Sequence, residues 1–254
     1  MKSPFASLLI YAFSVSLFVL PGCQDSAGPG GPTNSVATVT VTPDDPVAVA
    51  ALEKAGCSLK KNAAGVVTEI AVSADTDFSE AMKNLAGLPN VTTARFGGPG
   101  MNDAGMQFLS HLKLLKRLDL TDCSAIGDKT LTVVSGLTNI EALILRRAGF
   151  TDAGLENIKN LTKLRAIDLR NSNVTDAGVA QLAGMTSLVD VQLEKSKVTD
   201  AGIESLKGLP LKSLNLNYTA VTDTAMTAIG SIGTLESLQM EASRLTDAGM
   251  PEVA

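Results

Sequence analysis

From residue 65 onward the chain repeats itself with a period near 24, and this constrains the fold more than any other feature. Apolar residues recur at offsets 0, 3 and 5 from Val67, Val91, Leu115, Ile140, Leu164, Leu188, Leu211 and Leu235, giving spacings of 24, 24, 25, 24, 24, 23 and 24. A unit this short cannot bury its apolar side alone; it must stack on its neighbours, so a fixed period of this size specifies a solenoid. Each unit opens with a period-two pattern such as Leu115/Leu118/Leu120, Leu164/Ile167/Leu169 or Leu211/Leu214/Leu216, which marks a short half-buried strand.

The second half of each unit carries Phe150-Thr-Asp-Ala-Gly-Leu155, Val174-Thr-Asp-Ala-Gly-Val179, Val198-Thr-Asp-Ala-Gly-Ile203 and Leu245-Thr-Asp-Ala-Gly-Met250, with a looser copy at Met101-Asn-Asp-Ala-Gly-Met106. A Thr or Asn here accepts from the free N–H groups of a first helical turn, and the following Asp complements the helix dipole. Apolar residues then recur at helical spacing, as in Leu155/Ile158/Leu161 and Val179/Leu182/Met185. Strand then helix at every period predicts an α/β right-handed solenoid, a horseshoe with parallel strands on the concave face and short helices on the convex face. These units resemble leucine-rich repeats; the resemblance covers residues 46 to 254. The Thr-Asp-Ala-Gly variant is similar to the bacterial leucine-rich repeat lipoproteins and surface proteins, with an outer face like that of ribonuclease inhibitor.

The ends of such a stack need covers. Asp45-Pro46 followed by VAVAALEKAG reads as an amphipathic helix, and residues 57–65 as a short strand and turn, so residues 45–66 are expected to form an N-terminal cap to eight repeats over 67–254. The last repeat is incomplete, with Pro251 where a helix N–H is wanted, so the strand at Leu235 to Met240 is an expected open edge for self-association.

Before the repeats, Lys2 precedes an apolar run from Phe5 to Leu20 that is too short to span a bilayer, the layout of a secretory signal over residues 1–22. Leu20-Pro21-Gly22-Cys23 resembles the lipobox of bacterial lipoproteins, departing from it at Pro21; the resemblance implies cleavage before Cys23 and diacylation of its sulfur. Two acyl chains suffice for stable anchoring. An ordinary secretory signal with Cys23 left as a free thiol is the alternative. Gln24 after the cysteine favours the outer membrane or cell surface over the inner membrane. Residues 23–44, rich in Gly, Pro, Ser and Thr, are expected to be a lipid-anchored flexible tether, with the Val-Thr alternation at 36–42 as an alternative strand. Loss of Lys2 takes the net charge from −5 to −6, and with no basic run nucleic acid is not an expected partner.

Catalytic chemistry has little to draw on. His111 is the only histidine, without Cys or carboxylates at ligand spacing, and reads as a surface or packing residue. Asp103, Asp152, Asp176, Asp200, Asp223 and Asp247 recur with the period and read as structural. No glycine-rich phosphate loop stands between a strand and a helix. Cys57 and Cys123 are too many strand rows apart to bridge and are expected to be buried free thiols. No enzyme activity, cofactor or metal is therefore expected.

What is free to vary is the concave face, at offsets 2, 4 and 6. There the sequence places Arg117, Asp119, Ile144, Arg146, Asp168, Arg170 and Glu194, with Tyr218 further along, as partner-binding candidates. Arg95 beside Asp119 and Arg170 beside Glu194 neutralise one another in part. Arg146 and Arg170, adjacent in one column beside Arg147 and an exposed Ile144, form a like-charge cluster that calls for a partner or anion. With few aromatics to stack on sugars, a polar protein or peptide partner fits better than a glycan. The expected function is a membrane-anchored module mediating protein–protein interaction at the cell envelope. A structural, self-assembling surface protein is the alternative.

Overall fold

A computed structural model describes residues 42–246. The expected signal segment, Cys23, the expected tether up to residue 41 and the residues from 247 onward, Pro251 among them, lie outside the described residues.

The period-two patterns form strands. β1 (Ser58–Lys61) is followed by β2 (Val67–Ser73), β3 (Thr93–Gly97), β4 (Arg117–Asp119), β5 (Ala142–Ile144), β6 (Ala166–Asp168), β7 (Asp190–Gln192), β8 (Ser213–Asn215) and β9 (Ser237–Gln239). They lie side by side in sequence order in one sheet, β1 antiparallel to β2 and the remaining pairs parallel. Register is held by the core: Ala94, Leu118, Leu143, Ile167, Val191, Leu214 and Leu238 stand opposite one another on consecutive strands. A slip of one residue would turn this whole row to solvent. With the offset-5 row Phe96, Leu120, Leu145, Leu169, Leu193 and Leu216, they form a continuous apolar core along the stack.

The chain returns between strands through α2 (Ser79–Met82), α3 (Asp103–Met106), α4 (Asp128–Val134), α5 (Asp152–Ile158), α6 (Asp176–Ala180), α7 (Asp200–Glu204) and α8 (Met226–Gly230). These are shorter than the apolar spacing implies: α6 ends at Ala180, although the pattern runs on to Met185. Past the helices the backbone tightens into i→i+3 bonds, Leu161 N donating to Ile158 O at 3.0 Å and Met185 N to Leu182 O at 2.9 Å. Stacked strands sit about 4.8 Å apart whereas packed helices need about 8–10 Å. Short, partly 3₁₀ segments reduce that mismatch, and the remainder places the strands on the inside of the curve.

Adjacent repeats are joined on the helical side by a bracket that capping alone did not suggest. Asp152 accepts from Thr175 N at 2.9 Å and Thr175 Oγ1 at 2.6 Å, one repeat further on. Asp128 holds Thr151, Asp176 holds Thr199, Asp200 holds Thr222 and Asp223 holds Thr246 in the same two-pronged way. The glycine belongs to the same joint: a Cβ on Gly178 would lie 2.2 Å from Asp152 Oδ1, one on Gly154 2.3 Å from Asp128 Oδ1. Where the third repeat has Thr130 instead, its hydroxyl donates to Asp103 Oδ1 at 2.6 Å. Capping is only part of the role of these Thr residues, since Thr175 and Thr222 accept from the first turn while Thr151 and Thr199 make no such bond.

A second periodic feature ends each strand on the opposite rim. Asp122, Arg147, Asn171, Lys195, Tyr218 and Ala242, all at offset 7, have φ between 53° and 65°, and Gly98 has φ 90°. This left-handed step costs about 1–2 kcal/mol for a residue with a Cβ. It aims the amide along the stack: Asp122 N donates to Arg146 O, Asn171 N to Glu194 O and Tyr218 N to Glu241 O at 2.8–3.0 Å.

The first repeat is covered by α1 (Pro46–Lys54), whose Asp45 accepts from Val47 N at 2.9 Å and whose Ala48 and Leu52 are buried. Asp44 accepts from Val67 N at 2.5 Å and Asn90 Nδ2 donates to Thr42 O, fixing the entering chain to the rim where β2 and β3 begin.

Candidate functional site

The solvent face of the sheet is built from offsets 2, 4 and 6, which alternate with the two core rows. No two repeats present the same three residues there: Arg117, Asp119 and Thr121 are followed by Ala142, Ile144 and Arg146, then Ala166, Asp168 and Arg170, then Asp190, Gln192 and Glu194.

Much of the charge expected to be available on this face is used internally. Asp168 is 8% exposed, and Arg170 grips it with Nε at 2.9 and 3.0 Å and with a terminal nitrogen at 2.6 Å. That pair holds the Arg170 guanidinium above its ordinary pKa, chiefly through the hydrogen bonds it donates to Asp168. Arg147, on the left-handed step, chelates Asp122 through two nitrogens and depresses its carboxyl. The like-charge cluster of Arg146, Arg147 and Arg170 is thus resolved: two of the three are paired within the chain. Arg170 is bonded to Asp168, two residues back, while its expected neighbour Glu194, 3.8 Å from Lys195, acts on it through its field alone. Ile144, expected to be exposed, is half-buried between its neighbours in the sheet.

Several carboxylates and amides here also close turns. Asp119 Oδ1 accepts from Thr121 N and Oγ1 at 3.0 and 2.7 Å, and Asp168 Oδ1 and Asn215 Oδ1 each accept from the backbone N–H two residues on. This is the Asx turn, which ends a strand locally. Asp119 keeps its expected neighbour, with Arg95 Nε at 3.4 Å.

Tyr218 lies one position beyond the outward row, on the rim. It is 46% exposed, with Lys195 Nζ 5.0 Å from its ring centroid and its hydroxyl donating to Glu241 at 3.1 Å. That hydrogen bond raises the phenol above its usual pKa.

Two charged residues of the face stand apart. Among the described residues every other ionisable side chain at offsets 2, 4 and 6 has a polar partner, Glu69 with Lys60 and Asp190 with Gln192 included. Arg117 and Arg146 make neither a hydrogen bond nor an ion pair through their side chains. Arg117 is exposed; Arg146 is half-buried, its Nε shut off from solvent and without a hydrogen-bond acceptor. The field of Arg146 reaches Asp122, but Arg147 occupies that carboxylate.

Towards the N-terminal end the outward row runs through Ser73, Gly97 and Thr121. Their small side chains leave a shallow depression of about 350 Å³ beside Arg95 and Asp122.

Cys57 and Cys123 are buried free thiols. Burial pushes Cys57 up to about 11 and Cys123 up to about 12, the latter helped by the Asp119 and Asp122 carboxylates, so both are protonated at neutral pH. Cys123 donates to Phe96 O at 3.1 Å. His111 is exposed on the 3₁₀ turn Gln107–His111 and stacks on Phe108. Among the described residues no cluster of His, Cys, Asp or Glu could hold a metal ion, and no helix is long and apolar enough to cross a membrane.

Comparison with known proteins agrees with this architecture. The leucine-rich repeat family model matches residues 111–132 and 160–183. Internalin C2 of Listeria monocytogenes superposes with a TM-score of 0.52 at 18% identity, covering 83% of this chain and 90% of that one. An internalin of the same organism, InlF, gives 0.43 at 16% identity over 83% and 93%. No curated protein matches the chain significantly. The fold is an α/β leucine-rich repeat solenoid.

Proposed function

We propose that this chain is a protein-binding module whose ligand, a segment of another protein or a peptide, lies on the concave sheet face, and that it is lipid-anchored at Cys23 and displayed at the bacterial cell envelope. One observation carries the binding reading: most helical-side joints repeat the same Thr and Asp chemistry, while the sheet face differs in every repeat over a core that stays apolar throughout. Residues released from the repeat constraint are where specificity is written. Among the described residues no acid, base or nucleophile constellation stands outside the periodic positions, which supports binding over catalysis.

The anchoring reading rests on the Leu20-Pro21-Gly22-Cys23 sequence after an apolar run. Its test is the intact mass and detergent partitioning of the protein expressed in a bacterial host, alongside Cys23→Ala. A polypeptide beginning at Cys23 with acyl mass, lost in the variant, is the expected result; a soluble, unacylated protein overturns it. For the binding reading, chemical crosslinking from sheet-face positions in the native envelope is expected to capture one recurring protein, and crosslinks only from the helical side would refute it.

A second reading, self-association through the last strand, is favoured by one feature. Leu235, Leu238, Met240 and Leu245 are only partly buried, whereas Leu211, Leu214, Leu216 and Val221, their counterparts one repeat earlier, are fully buried. Sedimentation over a concentration series distinguishes the two: a constant monomer mass supports display, a rising one assembly.

A further inference from the structure

We infer that the partner segment is acidic and extended, with two carboxylates about four residues apart that are received by Arg117 and Arg146, and an apolar side chain between them that rests on Ile144. This deepens the sheet-face reading and rests on it. The chain carries a net charge of −5, yet among the described residues the two ionised side chains of the sheet face left without a partner are both cations.

Their setting argues against idle surface charge. Arg146 has its Nε sealed from water with no acceptor, a desolvated donor that a carboxylate on its outer edge would compensate electrostatically. Its strand neighbours provide no rival: Asp168 is taken by Arg170 and Asp122 by Arg147. The floor between the two cations is apolar, with Arg117 opposite Ala142, Ala142 opposite Ala166, and Ile144, the last residue of β5, two residues before Arg146.

The spacing sets the ligand. From Arg117 at the start of β4 to Arg146, two residues past the end of β5, is four residues along and one strand across, about 14 Å between Cα atoms at the rise of extended chain. In an extended segment alternate side chains share a face and four residues span about 13 Å. Glu-x-Leu-x-Glu laid along the strands therefore meets Arg117, Ile144 and Arg146 in turn.

The test uses the purified full-length protein and the labelled peptide Gly-Glu-Ser-Leu-Ser-Glu-Gly at low ionic strength. Saturable binding is expected, weakened roughly tenfold when both Glu are replaced by Gln and by a similar factor in Arg146→Gln or Arg117→Gln, with Arg117→Lys intermediate. Thermal melts of the variants check that they are folded. Absence of saturable binding in the millimolar range, or equal binding of the Gln peptide, overturns the inference.

A displayed random-peptide library selected on the same protein separates this failure from failure of the parent reading. Acidic winners that lose binding in Arg117→Gln and Arg146→Gln support the inference. Winners of other chemistry that depend on Glu194 or Asp190 refute it while leaving the sheet face as the binding surface. Winners indifferent to all four positions remove both.

Discussion

On the helical side of the solenoid the same chemistry meets at nearly every joint, whereas on the sheet face each repeat presents a different set of side chains. The joints are closed systems: each bracketing carboxylate is filled by the N–H and hydroxyl of the next repeat, and at three of them Gly154, Gly178 or Gly202 leaves it room, where the Asp103 and Asp200 joints have Thr130 and Ala225. The sheet face is closed for most of its length as well, by the Asp168–Arg170 and Arg95–Asp119 pairs, but opens around Arg117 and Arg146. Periodic chemistry is used in stacking, and around Arg117 and Arg146 the period and the internal pairing both lapse.

The sharpest way to break the comparison is at a joint. Gly178→Ala places a Cβ 2.2 Å from Asp152 Oδ1, so the carboxylate must shift and its bonds to Thr175 are strained. A loss of about 2–4 kcal/mol is expected in urea unfolding. In an Asp152→Ala background the same change should be neutral or slightly stabilising, because alanine is the better helix residue; additive costs would show that the two do not form one device.

Asp152→Ala alone leaves Thr175 N–H and its hydroxyl without their acceptor, and a loss of about 1–3 kcal/mol is expected. Thr175→Val, which keeps the N–H bond, should cost less. Equal costs would mean that the hydroxyl prong carries the joint.

Releasing the left-handed step has the opposite sign. Ala242→Gly, at φ 53° and with only a methyl to lose, should gain about 0.5–1 kcal/mol. A destabilised variant would show that this repeat does not hold the step in solution.

Acid should act on joints and rim. Asp223 is depressed by the Thr246 hydroxyl and N–H, Asp77 by Ser79 and Asn102, and Asp122 by Arg147. Groups depressed in the folded state add stability above their unfolded pKa of about 4 and lose it as pH falls through the folded value. The melting temperature is therefore expected to hold between pH 7 and 5 and fall below about 4, less steeply in Asp122→Asn. A flat profile to pH 2 would show that these contacts are absent in solution.

The smallest stability effect is expected where the binding effect is largest. Arg117→Gln should change unfolding free energy by no more than about 0.5 kcal/mol, since the side chain is exposed and unpaired.

The sequence by itself determined the solenoid. Strand positions, register and the apolar rows follow from offsets 0, 3 and 5, because repeated burial writes itself into a repeated pattern. It also placed Arg117, Arg146, Asp168 and Arg170 on one face, since side chains alternate along a strand. Which of those charges remain free was a matter for the tertiary structure alone. Arg146 and Arg170 occupy the same offset and are indistinguishable as letters. One has an Asp two residues earlier that is buried within its reach; the other has an isoleucine. The Thr-Asp-Gly bracket was likewise visible as a motif, but its Asp lies 22 or 23 residues before the Thr it holds, and only stacking the repeats shows that the Asp of one serves the Thr and Gly of the next. Pattern fixes which face a residue takes; the distance between two side chains across repeats decides what it can still bind.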